Sequence, residues 1–311
     1  MDFELKSFFQ LVRIPTVFSA FSNVYAGYWI GKAVLSPKLQ FQDLVTSPRS
    51  LILGLIAGGL YLMAGMALND IADYKVDKEE RPNRPLPSGV ISLSTAWMVT
   101  LGMFALALVC QWFANPVAAC VGVILIIAIF LYNFVFKGTF LGPLSMGSCR
   151  VLNLLGGVAL CADGLSDFFF LPFHTYWAIL SIWAYIILVT YLARDEVHGN
   201  SAMRVRIFFI GLAVWAGLWI GFAAFHYSYL SYLLLAVLLF HLYQLSAPIR
   251  NLRENPAVPS ATGKTIGALL RTLPMTDVIG MLGAGVFWPW ALAGLAWMLP
   301  GKILAKRFYS T

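Results

Sequence analysis

Asn69-Asp70-Ile71-Ala72-Asp73-Tyr74-Lys75-Val76-Asp77 places three carboxylates at the end of an apolar run, residues 51–68, whose eighteen residues carry no charge. That run is close to the length that crosses a bilayer, and ionisable groups at its mouth are costly and point to function. If the helix continues through the motif, Asp70, Asp73 and Asp77 stand at i, i+3 and i+7, within roughly 60° of one another. Three acids facing one way repel unless a cation lies between them. An all-oxygen donor set of this kind suits Mg2+ shared with substrate phosphates. Arg81-Pro82-Asn83-Arg84-Pro85-Leu86-Pro87-Ser88-Gly89 follows, a proline-stiffened turn whose two guanidiniums can take phosphate oxygens bidentately. A solvated loop after a helix would explain the acids alone, but not acids, arginines and prolines in this order.

The rest of the chain sets these motifs in a membrane. Of the 311 residues, 60% are hydrophobic and only 11% charged, and the mean hydropathy is +0.79. These values belong to an all-α integral membrane protein and exclude an ordinary soluble domain. Apolar runs matched to bilayer thickness predict a bundle of nine transmembrane helices, near 15–35, 49–69, 94–114, 117–136, 141–162, 174–193, 206–226, 229–247 and 276–299, in a single polytopic domain over 1–311. The runs are too long and too uniformly apolar for barrel strands. Met1-Asp2-Phe3-Glu4-Leu5-Lys6 lacks a basic stretch with a cleavage site, so no removable signal peptide is expected. Fifteen of the 21 lysines and arginines fall on the N-terminal stretch and the loops after even-numbered spans. The positive-inside rule then expects an inner-membrane protein with its N-terminus and motif loops cytoplasmic and its C-terminus outside. Cys110, Cys120, Cys149 and Cys161 show no CxxC pairing and read as small apolar residues.

The NDxxDxxxD pattern at Asn69, Asp70, Asp73 and Asp77, followed by RPNRPLPSG, resembles the signature of the UbiA superfamily of intramembrane prenyltransferases. The resemblance implies a UbiA-like helical bundle over essentially the whole chain. It implies Mg2+ as cofactor, a prenyl diphosphate and a small aromatic or hydroxyl acceptor as partners, and transfer of the prenyl group between them at the lipid bilayer. In that family a second motif, DxxxD, binds a further Mg2+. Here the corresponding stretch, Arg194-Asp195-Glu196-Val197-His198-Gly199-Asn200, departs from it: Glu196 and Asn200 stand at i, i+4 with Asp195 adjacent. One formal charge is lost, which weakens the expected second metal site. The departure keeps a second reading open, a non-catalytic protein that binds or moves a lipid-linked small molecule. The chain resembles in this the UbiA-like EboC branch, found in bacterial secondary-metabolite clusters.

The resemblance also implies roles for single residues. Lys137, after Tyr132-Asn133-Phe134-Val135-Phe136, matches a lysine that reaches the diphosphate; the competing reading is a lysine snorkelling to the interface. Lys75 joins Asn69, Arg81 and Arg84 as a diphosphate contact. Asn23, with Arg13 and Pro15 nearby, matches a position near the prenyl chain, although a helix–helix hydrogen bond explains it equally simply. Arg150 and Asn153 lie inside a span at i, i+3, where a charge must face the bundle interior and either an acid or the substrate. His198 is either a base for an acceptor hydroxyl or a solvated loop histidine. Other signals fail. Gly263-Lys264-Thr265 lacks the upstream glycine of a P-loop, and Asp163-Gly164 lacks the later acids of a CDP-alcohol phosphotransferase. The basic stretch from Arg250 to Arg271 reads as a loop that meets anionic lipid or diphosphate, with no nucleic-acid partner.

Overall fold

The computed structural model describes residues 3–35, 48–194, 196, 199–226, 228–301 and 303; the described residues form helices and turns, with no strand among them. The helices are α1 (Phe3–Leu11), α2 (Val17–Leu35), α3 (Arg49–Ala72), α4 (Tyr74–Glu80), α5 (Leu93–Ala114), α6 (Pro116–Leu131), α7 (Gly142–Ala159), α8 (Phe173–Ala193), α9 (Ala202–Phe225), α10 (Tyr229–Glu254), α11 (Pro259–Arg271), α12 (Leu273–Gly283) and α13 (Trp288–Ala293). Local chemistry sets several boundaries. Ser92 and Ser201 accept backbone N–H groups three residues on and start α5 and α9. Asn115 does the same for Val117 at the head of α6, with Pro116 in the first turn.

Seven helical segments are long and apolar enough to cross a membrane: Arg49–Ala72, Leu93–Ala114, Pro116–Phe136, Phe173–Ala193, Ala202–Phe225, Tyr229–Glu254 and Pro259–Gly283. The nine expected spans are therefore not all present as such. α2 and α7 form where expected, but they are only 19 and 18 residues long and carry polar side chains in their apolar runs. These two pack backbone to backbone. A Cβ on Gly27 would stand 2.0 Å from the Leu154 carbonyl oxygen, and one on Gly157 2.3 Å from that of Val24. Only glycine allows this approach, the usual device for close helices in lipid. Outward faces carry large apolar side chains such as Leu101, Trp112, Ile127 and Leu218, each about half exposed or more, as lipid contact requires.

The C-terminal region corrects the sequence reading. The stretch before residue 276, read as a basic loop, is the helix α11, buried along one side. Its polarity was misleading because Thr265 and Thr272 hydrogen-bond the carbonyls of Ala261 and Ala268 four residues back, so the hydroxyls need no water. The span expected over 276–299 is cut at Gly285, which adopts a positive φ of 80° that glycine tolerates. Pro289 then starts α13. From there the chain runs back beside α2: Trp290 stacks on Trp29, Trp297 packs against Phe21, and Gly301 reaches the Pro15 carbonyl. Residue 301 therefore lies at the same end of the bundle as Arg13. A single outward ninth span would have carried it to the opposite end.

Candidate active site at one end of the bundle

The carboxylate motif does not continue as one helix. α3 ends at Ala72 and α4 begins at Tyr74, with Asp73 between them in the helical bridge region (φ −84°, ψ 0°). The kink still leaves Asp70 and Asp77 facing a common partner. Arg84 Nη1 donates to Asp77 Oδ2 at 2.7 Å and approaches Asp70 Oδ1 at 3.5 Å. Arg81 lies 3.7 Å from the other Asp77 oxygen, so the proline-rich turn folds back over the acids as its arginines require. Asp70 and Asp77 are 5% and 2% exposed, and carboxylates so deeply placed persist only when paired.

Two further bases complete the cluster. Arg13 Nη2 donates to Asp70 Oδ1 at 3.2 Å. Arg13 is the only non-glycine residue with positive φ (46°) among the described residues, a conformation that costs energy and here accompanies a charged contact. Lys137 follows a π-helical turn, Tyr132–Phe136, of a kind that often re-aims side chains at functional sites. Its ammonium donates to Asn69 Oδ1 at 2.8 Å and Asp73 Oδ2 at 2.5 Å. Snorkelling into the interface does not describe this lysine. Three acids thus meet four bases, and the surplus positive charge suits an anion. Lys75, expected among the diphosphate contacts, is exposed and makes no ion pair among the described residues, so the structure does not bring it into this cluster.

Beside the cluster lies a cavity of about 540 Å3, bordered by Arg13 and Asn69 and walled largely by apolar and aromatic side chains, including Phe18, Tyr61, Tyr132 and Trp297. This volume suits a small-molecule site. Arg150 and Asn153 also line it, and their partners resolve the alternatives left by the sequence. Arg150 pairs with Asp277 of α12 at 3.9 Å and donates to the Ser19 carbonyl. Asp277 in turn accepts from Ser22 Oγ at 2.7 Å and Asn23 Nδ2 at 3.2 Å. Asn153 donates to Asn23 Oδ1 at 3.3 Å. Asn23 is fully buried and serves this network rather than the cavity surface. Sequence reasoning missed Asp277, although a lone acid in an apolar run is itself the signal that Arg150 has a partner in the membrane.

The second motif is only partly assembled. α8 ends at Ala193, so Glu196 and Asn200 do not share a helical face as expected. Glu196 lines the cavity. Asn200 is buried, and its Nδ2 donates to the Leu192 carbonyl and to Thr262 Oγ1, both at 3.1 Å. Gly199, at φ 81°, makes the turn that redirects it. Asn200 Nδ2 thus ties the end of α8 to α11. Asp195 and His198 lie outside the described residues.

Among the described residues no three His, Cys, Asp or Glu side chains converge as a ready metal cluster, because Arg13, Arg84 and Lys137 stand between the acids. The donor set itself, three carboxylates with no nitrogen or sulfur ligand, has the chemistry of a Mg2+ site.

The site is an end-on cluster of acids and bases over an apolar cavity, inside a bundle with membrane-length helices. The model of the UbiA prenyltransferase family matches residues 24–260, and the chain belongs to that family and is a multi-pass membrane protein. It is 30% identical over 161 residues to digeranylgeranylglyceryl phosphate synthase of Saccharolobus solfataricus, a match covering 51% of this chain and 54% of that one. The enzyme of the same name from Metallosphaera sedula is 28% identical over 204 residues, 64% of each chain. The chain spans about half the length of the first of these relatives. Among solved structures, a UbiA homolog from Aeropyrum pernix K1 shares the fold with a TM-score of 0.63 at 18% identity, over 85% of this chain and 96% of that one. A UbiA homolog from Archaeoglobus fulgidus, bound to DMAPP and Mg2+, does so with a TM-score of 0.58 at 14% identity, over 93% and 99%.

Proposed function

We propose that this protein is a Mg2+-dependent prenyltransferase whose donor is a prenyl diphosphate. The observation that carries the reading is the set of Asp70, Asp73 and Asp77, each already matched by a base, at the mouth of a cavity walled for an isoprenoid chain. Asp70, Asp73 and Asp77 would hold Mg2+, which supplies positive charge against the departing pyrophosphate. Arg84, Arg81 and Lys137, released from the carboxylates, would turn their donors to diphosphate oxygens. Arg13 and Asn69 would orient the diphosphate at the cavity rim. Ionisation of the allylic C–O bond then leaves the cation among Phe18, Tyr61, Tyr132 and Trp297, whose π faces stabilise positive charge where water is excluded. Arg150, paired with Asp277, and Asn153, bonded to Asn23, form a polar floor that would position the acceptor.

The curated relatives are named for a glyceryl phosphate product, which supports a hydroxyl acceptor over an aromatic one. The motif end of the bundle is assigned to the cytoplasmic side on its excess of basic residues. A non-catalytic, lipid-binding role is favoured by one observation, the replacement of a second-motif acid by Asn200, whose amide is engaged by Leu192 and Thr262. Equilibrium binding of geranyl diphosphate to purified protein, with Mg2+ or with EDTA, tests the site. Binding should require Mg2+ and vanish in Asp73→Ala; Mg2+-independent binding unchanged in that variant would remove the first motif from the reading.

A further inference from the structure

Three arginines line the cavity, and two of them are already engaged: Arg13 by Asp70 and Arg150 by Asp277. The third, Arg271 at the end of α11, makes no ion pair among the described residues. Arg271 is exposed and borders the cavity, so its donors are open to whatever occupies that space. Its side chain folds back along α11, as helical side chains do, so that a Cβ on Gly267 would lie 3.1 Å from its Nη1. One turn earlier, a Cβ on Gly263 would lie 3.1 Å from Glu196 Oε1. Gly263 and Gly267 thus let the Glu196 carboxylate and the Arg271 fork lie close against α11, where Ile266 and Leu270 also line the cavity. Glu196 is also the one carboxylate of this wall among the described residues, since Asn200 is turned to Leu192 and Thr262. A single carboxylate is a poor holder of a strongly hydrated dication.

We propose that Arg271 is a diphosphate-binding residue: it supplies from the α11 wall the positive charge that Glu196, the one carboxylate of this wall among the described residues, recruits poorly as a second metal ion. The inference rests on the prenyl diphosphate reading of the cavity. It makes the donor site asymmetric, with Mg2+ at the Asp70–Asp77 side and a bidentate fork at the other. Nothing in α11 needs to move for this, because Arg271 already borders the cavity.

The test is equilibrium binding of geranyl diphosphate and of geraniol to the full chain in lipid nanodiscs with Mg2+ present. Arg271→Gln should bind geranyl diphosphate about tenfold more weakly, the scale of one charge-assisted contact, while geraniol, which lacks the diphosphate, binds as in the native protein. Arg271→Lys keeps the charge but not the planar fork and should recover only part of the loss. Native affinity for geranyl diphosphate in Arg271→Gln, or an equal loss for geraniol, overturns the assignment. Should the glutamine variant not fold, native affinity in Arg271→Lys overturns it. Loss of binding in Asp73→Ala with native binding in the Arg271 variants rejects this inference alone; no Mg2+-dependent binding by the native chain rejects the prenyl diphosphate reading and this inference with it.

Discussion

Replacing Asp277 by alanine removes the acceptor of three contacts at once: Ser22 Oγ at 2.7 Å, Asn23 Nδ2 at 3.2 Å and the Arg150 guanidinium at 3.9 Å. Ser22 and Asn23 are fully buried, so water cannot take the place of the lost oxygens. Deleting one partner of a buried ion pair costs about 3–5 kcal/mol. The long Arg150–Asp277 separation, and the second tether of Arg150 to Ser19, favour the lower end, ~3 kcal/mol. At roughly 2 °C per kcal/mol for a chain of this size, the thermal midpoint in detergent should fall by about 6 °C. The double variant Arg150→Met with Asp277→Leu removes both charges and should recover much of that loss, a coupling of ~1 kcal/mol or more between neighbours. Thermal unfolding followed by intrinsic fluorescence, for the native chain, both single variants and the double variant, measures the cycle. A native midpoint in Asp277→Ala, or a double variant whose loss equals the two single losses combined, would refute the reasoning.

Gly27→Ala should separate α2 from α7, because its Cβ would stand 2.0 Å from the Leu154 carbonyl oxygen; a loss of at least ~1–3 kcal/mol should appear as a lower midpoint, whereas Gly102→Ala, with nothing within 4 Å, should not lower it. Asn200→Asp, the substitution that would restore an acid to the second motif, should not raise Mg2+ affinity. It should instead destabilise the protein by ~1–3 kcal/mol, since a carboxylate would face the Leu192 carbonyl where the amide now donates. Isothermal titration with Mg2+ alongside thermal unfolding checks both halves, and tighter metal binding would mean that this side chain does reach the cavity.

The parts of the architecture that repeat a simple signal were legible in the sequence. The apolar runs that became α3, α5, α6, α8, α9 and α10 were long and nearly free of charge, and their limits fell within a few residues of the expected ones, except that α10 runs on to Glu254. That Asp70 and Asp77 face one partner was legible from their spacing, but the pairing of both with Arg84 was not, since the arginines were expected to meet phosphate. What failed depended on contacts distant in sequence. α11 looked like a loop because its threonines and lysine lower its hydropathy, and only packing and local hydroxyl–carbonyl bonds show how it is accommodated. Glu196 and Asn200 were expected on one helical face because they are four residues apart, a spacing that sets a face only if the helix continues past Ala193. Arg13 and Asp277 acquire meaning from partners 57 and 127 residues away, which no local periodicity reveals.

The central claim is chemical, and turnover tests it most directly. Radiolabelled geranylgeranyl diphosphate is incubated with purified protein in nanodiscs, with a panel of hydroxyl-bearing lipid acceptors, in Mg2+ or EDTA. The expected result is release of pyrophosphate with formation of a prenylated product, dependent on Mg2+ and lost in Asp73→Ala. Tight Mg2+-dependent binding of the diphosphate, with no pyrophosphate released in the presence of any acceptor, would contradict prenyl transfer and leave a binding protein built on the same fold.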